Sequence, residues 1–167
     1  PTLQVTGLDP SRNMLAVGQR KLDDKQLDKR ITLQEGDAQA LPFSDDSFAR
    51  ICMAFGIRNV PDRAQALREM ARVTRKGGRI AILELAEPRG GVLGGMARFH
   101  VHTVVPWVGG LLSGSKEYRY LQQSIAAFPP ASEFAKLMES CGLSVRRVEP
   151  LTFGVATLYV ATPRKEK

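Results

Sequence analysis

The sequence predicts an α/β domain with a mostly parallel sheet that ends in an antiparallel hairpin. Short apolar runs alternate with longer amphipathic runs along the 167 residues, which is the pattern of repeated strand–helix units. Two late apolar runs, over residues 143–151 and 154–161, are separated only by Thr152 and Phe153, and such neighbours pair as a hairpin. The apolar share of 43% and the charged share of 25% are those of a globular chain.

The first half of the chain carries four predicted strands and two predicted helices. Apolar runs predict strands over residues 3–8, 31–35, 48–55 and 79–86. A 3.6-residue apolar period predicts helices over residues 10–30 and from Val60 to Arg75. The run Lys76-Gly77-Gly78 is expected to end the second helix, because glycine commonly follows a helix and cations favour its last turn.

Residues 88–115 interrupt this pattern with seven glycines among large apolar side chains. Because glycine lowers the cost of reshaping a segment, we expect an insertion that acts as a lid over an apolar substrate. A rigid, packed insertion is the alternative. Helices are predicted over residues 118–127 and 131–141, the second ended by Gly142. We therefore expect one domain over residues 1–162, with the lid inside it, and a charged, frayed tail over residues 163–167.

Charge and cysteine content narrow the class of protein. The net charge of +7 is spread without a block of five like charges, so no basic nucleic-acid-binding tail is predicted. The charge fits a solvated surface or a face near anionic lipid. Cys52 and Cys141 form neither a CxxC motif nor a Cys/His cluster, which indicates a reducing, cytoplasmic location. Neither a secretory pattern nor an apolar run long enough to span a membrane is found.

Polar residues follow the predicted strands, and ligands of parallel sheets bind beyond the carboxyl ends of strands. Asp9 follows the first strand and could accept hydrogen bonds from a ribose diol or cap the next helix. Asp37 follows the second strand, either as a turn residue or as an acceptor for an adenine amino group. Glu84 lies near the end of the fourth strand, where a structural role is the simpler interpretation.

Five successive segments carry a family resemblance: GLDPSRNML, EGDAQALPFSDDSF, AFGIRNVPD, RVTRKGGR and ILELAEP. In this order they resemble the class I S-adenosylmethionine-dependent methyltransferases, and more narrowly the C-methyltransferases of menaquinone and ubiquinone biosynthesis. FGIRNV is the most specific piece, and SKEYRYLQQSIAAFPP and LTFGVATLY extend the resemblance to about Ala161. The resemblance implies a Rossmann-like sheet, S-adenosylmethionine as cofactor, and methylation of a ring carbon of a polyprenylated quinol.

The resemblance also implies roles on the cofactor side. Asp9 would bind the ribose hydroxyls, and Asp37 and Ala38 would bracket the adenine. Several members of the family carry a small hydroxyl residue at the position of Ala54, so a backbone contact at most is implied there.

On the substrate side, Arg58 and Asn59 are the implied catalytic residues. Arg58 is always charged and would stabilise a phenolate, and Asn59 would hold a water that takes the proton. Phe55, His100 and Tyr118 are expected as further substrate contacts. His100 or His102 could instead accept the proton, because imidazole titrates near neutrality. Ordinary surface or packing roles stay open for both histidines and for Tyr118. No metal site is predicted.

The chain departs from the family at its beginning. Members of the family start with a strand and a glycine-rich loop that hold the methionine part of the cofactor, and we expect both to be absent from this chain. That strand lies centrally in the family's sheet, between the strands at residues 3–8 and 48–55. We therefore expect a split sheet with two unpaired edges.

Other functions stay open at this stage. They are methylation of another small molecule, such as a sterol or phenol, or a non-catalytic fragment. A nucleic-acid methyltransferase is disfavoured, because no basic stripe interleaved with aromatic residues is found. The expected partner is the quinol, and the sequence leaves open a homodimer and peripheral contact with an anionic membrane.

Overall fold

The computed structural model describes residues 3–86 and 115–165. The elements in chain order are β1 (Val5–Asp9), α1 (Arg12–Asp24), β2 (Ile31–Glu35), β3 (Phe48–Ala54), α2 (Arg63–Val73), β4 (Thr74–Leu85), α3 (Ser115–Ala126), α4 (Ala131–Ser140), β5 (Leu143–Leu151) and β6 (Ala156–Pro163). Short 3₁₀ turns lie at Ile57–Asn59 and Thr152–Gly154. The predicted lid over residues 88–115 lies outside the described residues, except for Ser115.

The strands form two sheets. β1 and β2 pair in parallel, and a four-stranded sheet has the order β3-β4-β6-β5. In the larger sheet β3 and β4 are parallel, whereas β6 is antiparallel to both of its neighbours, which confirms the predicted hairpin. Among the described residues, β1 and β3 do not pair with each other and each has an open edge, as the resemblance predicts.

One face of the larger sheet packs against α2 and α4. Ile80 and Ile82 of β4, Leu67 of α2 and Phe134 of α4 are fully buried in this layer. Tyr159 of β6 packs edge-on against Phe134, with ring centroids 4.9 Å apart. Burial raises the pKa of the Tyr159 hydroxyl. This core packs against β4, which carries Glu84, and α2, which carries Glu69 and Arg72.

The start of β4 differs from the prediction. The strand begins at Thr74, so Lys76-Gly77-Gly78 lies inside it rather than ending a helix. A register irregularity between Phe48 and Arg50 accommodates the extra residues. A Cβ atom on Gly78 would lie 2.5 Å from Cγ2 of Thr74 and 2.8 Å from the Arg75 carbonyl, so glycine is required by close packing within a strand.

Helix α1 is shorter than predicted. It ends at Asp24 rather than at residue 30, and Gln26 adopts a φ of 53° that a right-handed helix cannot continue. Two residues of the predicted tail bond to other parts of the domain. The backbone N–H of Arg164 donates to the Gly142 carbonyl at 2.8 Å, and Lys165 donates to the carboxylate of Asp46.

The open edge of β1 predicts association of a polypeptide that comprises residues 1–167. Leu3 and Val5 are 68% and 43% exposed beside this edge, and an unpaired apolar edge is a template for strand pairing. Light scattering at micromolar concentration should therefore show oligomers, and Val5→Lys should shift them toward monomer. Met14→Lys removes apolar surface from α1 without altering an edge, so an equal shift in that control would contradict edge pairing.

Candidate functional site

The predicted cofactor residues lie at the carboxyl ends of parallel strands. Asp9 ends β1 and aligns with Glu35 at the end of β2, and Asp37 lies two residues further on. Ala54 ends β3 and aligns with Leu83 of β4. Each of the two sheets therefore carries candidate residues at the strand ends where ligands of parallel sheets bind.

Asp9 supports the turn into α1 but is not the cap of that helix. Its Oδ1 accepts the backbone N–H of Ser11 at 2.8 Å. Ser11 is the cap, since its hydroxyl accepts the backbone N–H of Met14 at 3.3 Å. The helix-cap alternative for Asp9 is therefore wrong, and its Oδ2 has no partner among the described residues.

Asp37 is oriented by Gln39. The side-chain amide of Gln39 donates to Oδ1 and Oδ2 of Asp37 at 3.1 and 2.9 Å, and its backbone N–H donates to Oδ1 at 2.9 Å. The Oε1 atom of Gln39 accepts the backbone N–H of Asp62 at 2.9 Å, just before α2. Ala38, between the two, packs partly buried against the core. The loop after β2 is thus joined to the start of α2.

Arg72, in the last turn of α2, binds the rest of this loop. Its five N–H donors all have acceptors: Glu69 Oε1 (2.7 Å) and Oε2 (2.8 Å), the Phe43 carbonyl (2.8 Å), Asp45 Oδ1 (2.8 Å) and the Leu41 carbonyl (3.0 Å). The hydrogen bonds from Arg72 lower the pKa of Glu69, and those to Glu69 and Asp45 raise the pKa of Arg72. This saturated guanidinium holds the loop against α2 at a second point.

The turn after β3 is strained at Phe55. Its φ is 57°, a conformation that costs a bulky L-residue roughly 1–2 kcal/mol. The Phe55 N–H donates to the Leu83 carbonyl at 2.8 Å, and the Phe55 carbonyl accepts Nη1 of Arg58 at 2.6 Å. The aromatic ring is 44% exposed. Strain maintained by surrounding bonds is typical of functional sites.

Arg58 and Glu84 form a buried ion pair beside this turn. Nη1 of Arg58 lies 2.7 Å from Oε1 of Glu84, and the side chains are 10% and 0% exposed. Glu84 also accepts the backbone N–H groups of Arg58 and Leu85, at 3.1 and 2.8 Å. Nε of Arg58 donates to the Ser124 hydroxyl on α3 at 3.3 Å. Only Nη2 of Arg58 lacks a partner among the described residues.

The structure brings Asn59 next to Tyr120, for which the sequence suggested only ordinary packing. The Tyr120 hydroxyl on α3 donates to Oδ1 of Asn59 at 3.2 Å. Tyr120 and Ser124 are four residues apart, so they share one helix face. This spacing was the one feature of the sequence that could have indicated that both residues contact the same turn. Tyr118 lies in α3, but its side chain, like His100, is outside the described part of the chain. Within residues 3–86 and 115–165, no group of three His, Cys, Asp or Glu side chains could hold a metal ion.

The ubiE/COQ5 methyltransferase family matches residues 1–163 of the chain. The chain belongs to this family. It is 41% identical to the ubiquinone/menaquinone biosynthesis C-methyltransferase UbiE of Geobacter sulfurreducens, over 95% of the chain and 62% of that protein. It is 40% identical to the demethylmenaquinone methyltransferase of Halalkalibacterium halodurans, over 96% of the chain and 65% of that protein. The chain thus spans less than two thirds of the length of these two ubiE/COQ5 methyltransferases.

Solved structures agree with the fold of a ubiE/COQ5 methyltransferase. A SAM-dependent methyltransferase from Aquifex aeolicus matches with a TM-score of 0.66 at 16% identity, over 95% of the chain and 68% of that structure. The [4+2]-cyclase SpnF matches with a TM-score of 0.72 at 14% identity, over 98% of the chain and 68% of that structure. These likenesses confirm the Rossmann-like fold, and the cyclase illustrates that the fold alone does not determine the reaction.

Breaking the buried ion pair is expected to destabilise the protein. Arg58→Ala leaves Glu84 charged, buried and without its cation, which typically costs about 3–5 kcal/mol of unfolding free energy. Denaturant unfolding measures this loss. The matched control is Arg12→Ala, which removes an exposed pair with Glu35 and should cost about 0–1 kcal/mol. Equal losses in both variants would show that the Arg58–Glu84 pair does not hold the turn.

The bond between Arg72 and Glu69 predicts a loss of stability in acid. Because folding lowers the pKa of Glu69, this carboxylate stabilises the folded state at neutral pH. That contribution is lost as the pH falls from the ordinary glutamate pKa of 4.5 through the lower pKa of Glu69 in the folded state. Glu69→Gln should therefore flatten the fall in unfolding free energy between about pH 5 and pH 3. Glu149→Gln on β5 is the control, and an equal flattening there would contradict the assignment.

Proposed function

We propose that the protein transfers a methyl group from S-adenosylmethionine to a ring carbon of a polyprenylated quinol in menaquinone or ubiquinone biosynthesis. The observation that carries this proposal is the link from Asp37 through Gln39 to Asp62, three residues after the turn that carries Arg58 and Asn59. The names of the related ubiE/COQ5 proteins support the same reaction. The proposed location is cytoplasmic with peripheral contact to an anionic membrane, which the net charge of +7 and the apolar substrate support.

The cofactor-side residues fit S-adenosylmethionine, which supplies an electrophilic methyl group when it is bound. Asp9 offers Oδ2, an acceptor without a partner among the described residues, to the ribose diol. Asp37, held by Gln39, offers its carboxylate to the adenine amino group, and Ala38 packs beside it. Ala54 contributes only backbone, because its side chain carries no polar atom.

The substrate-side residues fit a ring that must carry negative charge. A neutral phenol is a weak carbon nucleophile and its phenolate a strong one, so the site must stabilise the ring oxygen as an anion. Arg58 offers Nη2 for this purpose and keeps its charge at any physiological pH. The exposed ring of Phe55 offers an apolar surface to the quinol ring. His100 and Tyr118 stay proposed substrate contacts.

Two measurements on the full-length protein test the proposal. Calorimetry should detect binding of S-adenosylhomocysteine, and mass spectrometry should detect one added methyl group on a short-chain demethylmenaquinol. Binding without methylation of any quinol would favour another small molecule, such as a sterol or phenol, as substrate. Absence of S-adenosylhomocysteine binding would overturn the proposal.

Asp9→Ala in the full-length protein is expected to weaken binding of S-adenosylhomocysteine. Loss of a charge-assisted contact to the ribose should cost about 1.5–3 kcal/mol, or roughly 10- to 150-fold in Kd. Calorimetry measures the change, and the melting temperature reports whether the turn held by Ser11 survives. Asp23→Ala, which removes an exposed acid from α1, is the control. An unchanged Kd in Asp9→Ala would exclude the ribose contact.

A further inference from the structure

Two polar contacts join α3 to the 3₁₀ turn at Ile57–Asn59. Tyr120 donates to Oδ1 of Asn59 at 3.2 Å, and Arg58 donates to the Ser124 hydroxyl at 3.3 Å. The Ser124 hydroxyl in turn donates to the Leu121 carbonyl at 2.9 Å. Tyr120 and Ser124 lie one helical turn apart, so a single face of α3 contacts both residues proposed to meet the quinol.

The Tyr120 contact determines which end of the Asn59 amide is available. A primary amide carries an acceptor oxygen at one end and two N–H donors at the other. Tyr120 engages the oxygen, and the backbone N–H of Asn59 donates to the Gly56 carbonyl at 3.0 Å. Nδ2 of Asn59 has no partner among the described residues. Asn59 therefore presents donors, which suit an anion.

We propose that Tyr120 is a positioning residue that turns the Nδ2 donors of Asn59 toward the phenolate oxygen of the substrate, beside Nη2 of Arg58. The inference rests on the proposed quinol methylation. Two donors, one of them charged, then converge on the oxygen that becomes negative, and prearranged donors of this kind stabilise developing charge.

Ionisation of a bound ring tests this role without turnover. The probe is nitrohydroquinone, whose ionised form absorbs visible light, bound to the full-length protein in the presence of S-adenosylhomocysteine. The wild-type site is expected to favour the ionised ring about tenfold, equal to one pKa unit of the probe. Tyr120→Phe and Asn59→Ala should each remove most of this preference. The double variant should remove no more than either alone, because both act through one contact.

Kinetics provide a second readout. Tyr120→Phe should lower kcat about 10-fold near neutral pH with an unchanged Kd for S-adenosylhomocysteine. The deficit should shrink as the pH rises, because the substrate then ionises without assistance. A purely structural role of Tyr120 would give a deficit that does not depend on pH in this way, and that result would overturn the proposal.

Two further variants separate amide orientation from helix docking. Ser124→Ala removes the other contact of α3 and keeps the bond between Tyr120 and Asn59, so the probe should ionise nearly as in the wild type. A loss equal to that of Tyr120→Phe would overturn the proposal. Asn59→Asp keeps an acceptor for Tyr120 but replaces the donors by a negative charge, so it should disfavour the ionised probe even if Tyr120→Phe fails to fold.

Different experimental results would overturn this inference and the proposed function. Wild-type protein that binds neither S-adenosylhomocysteine nor nitrohydroquinone would overturn both. Wild-type protein that binds and ionises the probe, with Tyr120→Phe identical to it, would overturn only the role of Tyr120.

Discussion

The buried ion pair between Arg58 and Glu84 holds the carboxyl edge of the larger sheet together. Glu84 has no exposed surface, and a carboxylate in that position requires a cation and hydrogen-bond donors. The guanidinium that neutralises it also donates to the carbonyl of Phe55 and to the hydroxyl of Ser124. The Arg58 side chain therefore connects the end of β4, the strained turn at Phe55 and helix α3. Among the described residues Nη1 has two acceptors and Nη2 has none, so one terminal nitrogen of Arg58 serves the structure and the other is available.

Much of the fold could be predicted from local pattern, because period and turn chemistry act over a few residues. The bounds of β2 and β5 coincide with their apolar runs, and Gly142, with a φ of 84°, follows the end of α4 as expected. The start of β4 could not be predicted in this way. Lys76-Gly77-Gly78 has the local chemistry of a helix end, and the run itself reveals neither the pairing of β4 with β3 nor the close contacts of Gly78 with Thr74, Arg75 and Ala49.

The candidate site, like the fold, could be predicted only in part from the sequence. The strand-end rule pointed to Asp9, Asp37 and Arg58, because each follows the carboxyl end of a parallel strand. The side chains that orient these groups could not be found by that rule. Tyr120 contacts Asn59 across 61 residues of sequence, and no periodicity in one chain reports such a pairing. The sequence also could not decide whether Ser11 or Asp9 caps α1, because serine and aspartate are both favourable N-cap residues.

Helix α2 has 11 residues, about 16 Å of rigid rod, and both of its ends are attached to the loop after β2. Gln39 binds next to its first turn, and Arg72 binds from its last turn. The same helix begins four residues after the turn that carries Arg58 and Asn59. The part of the loop that carries Asp37 and this turn are therefore attached at the same end of α2, and the rest of the loop is attached at the other end. A movement of α2 would shift the loop and the turn together.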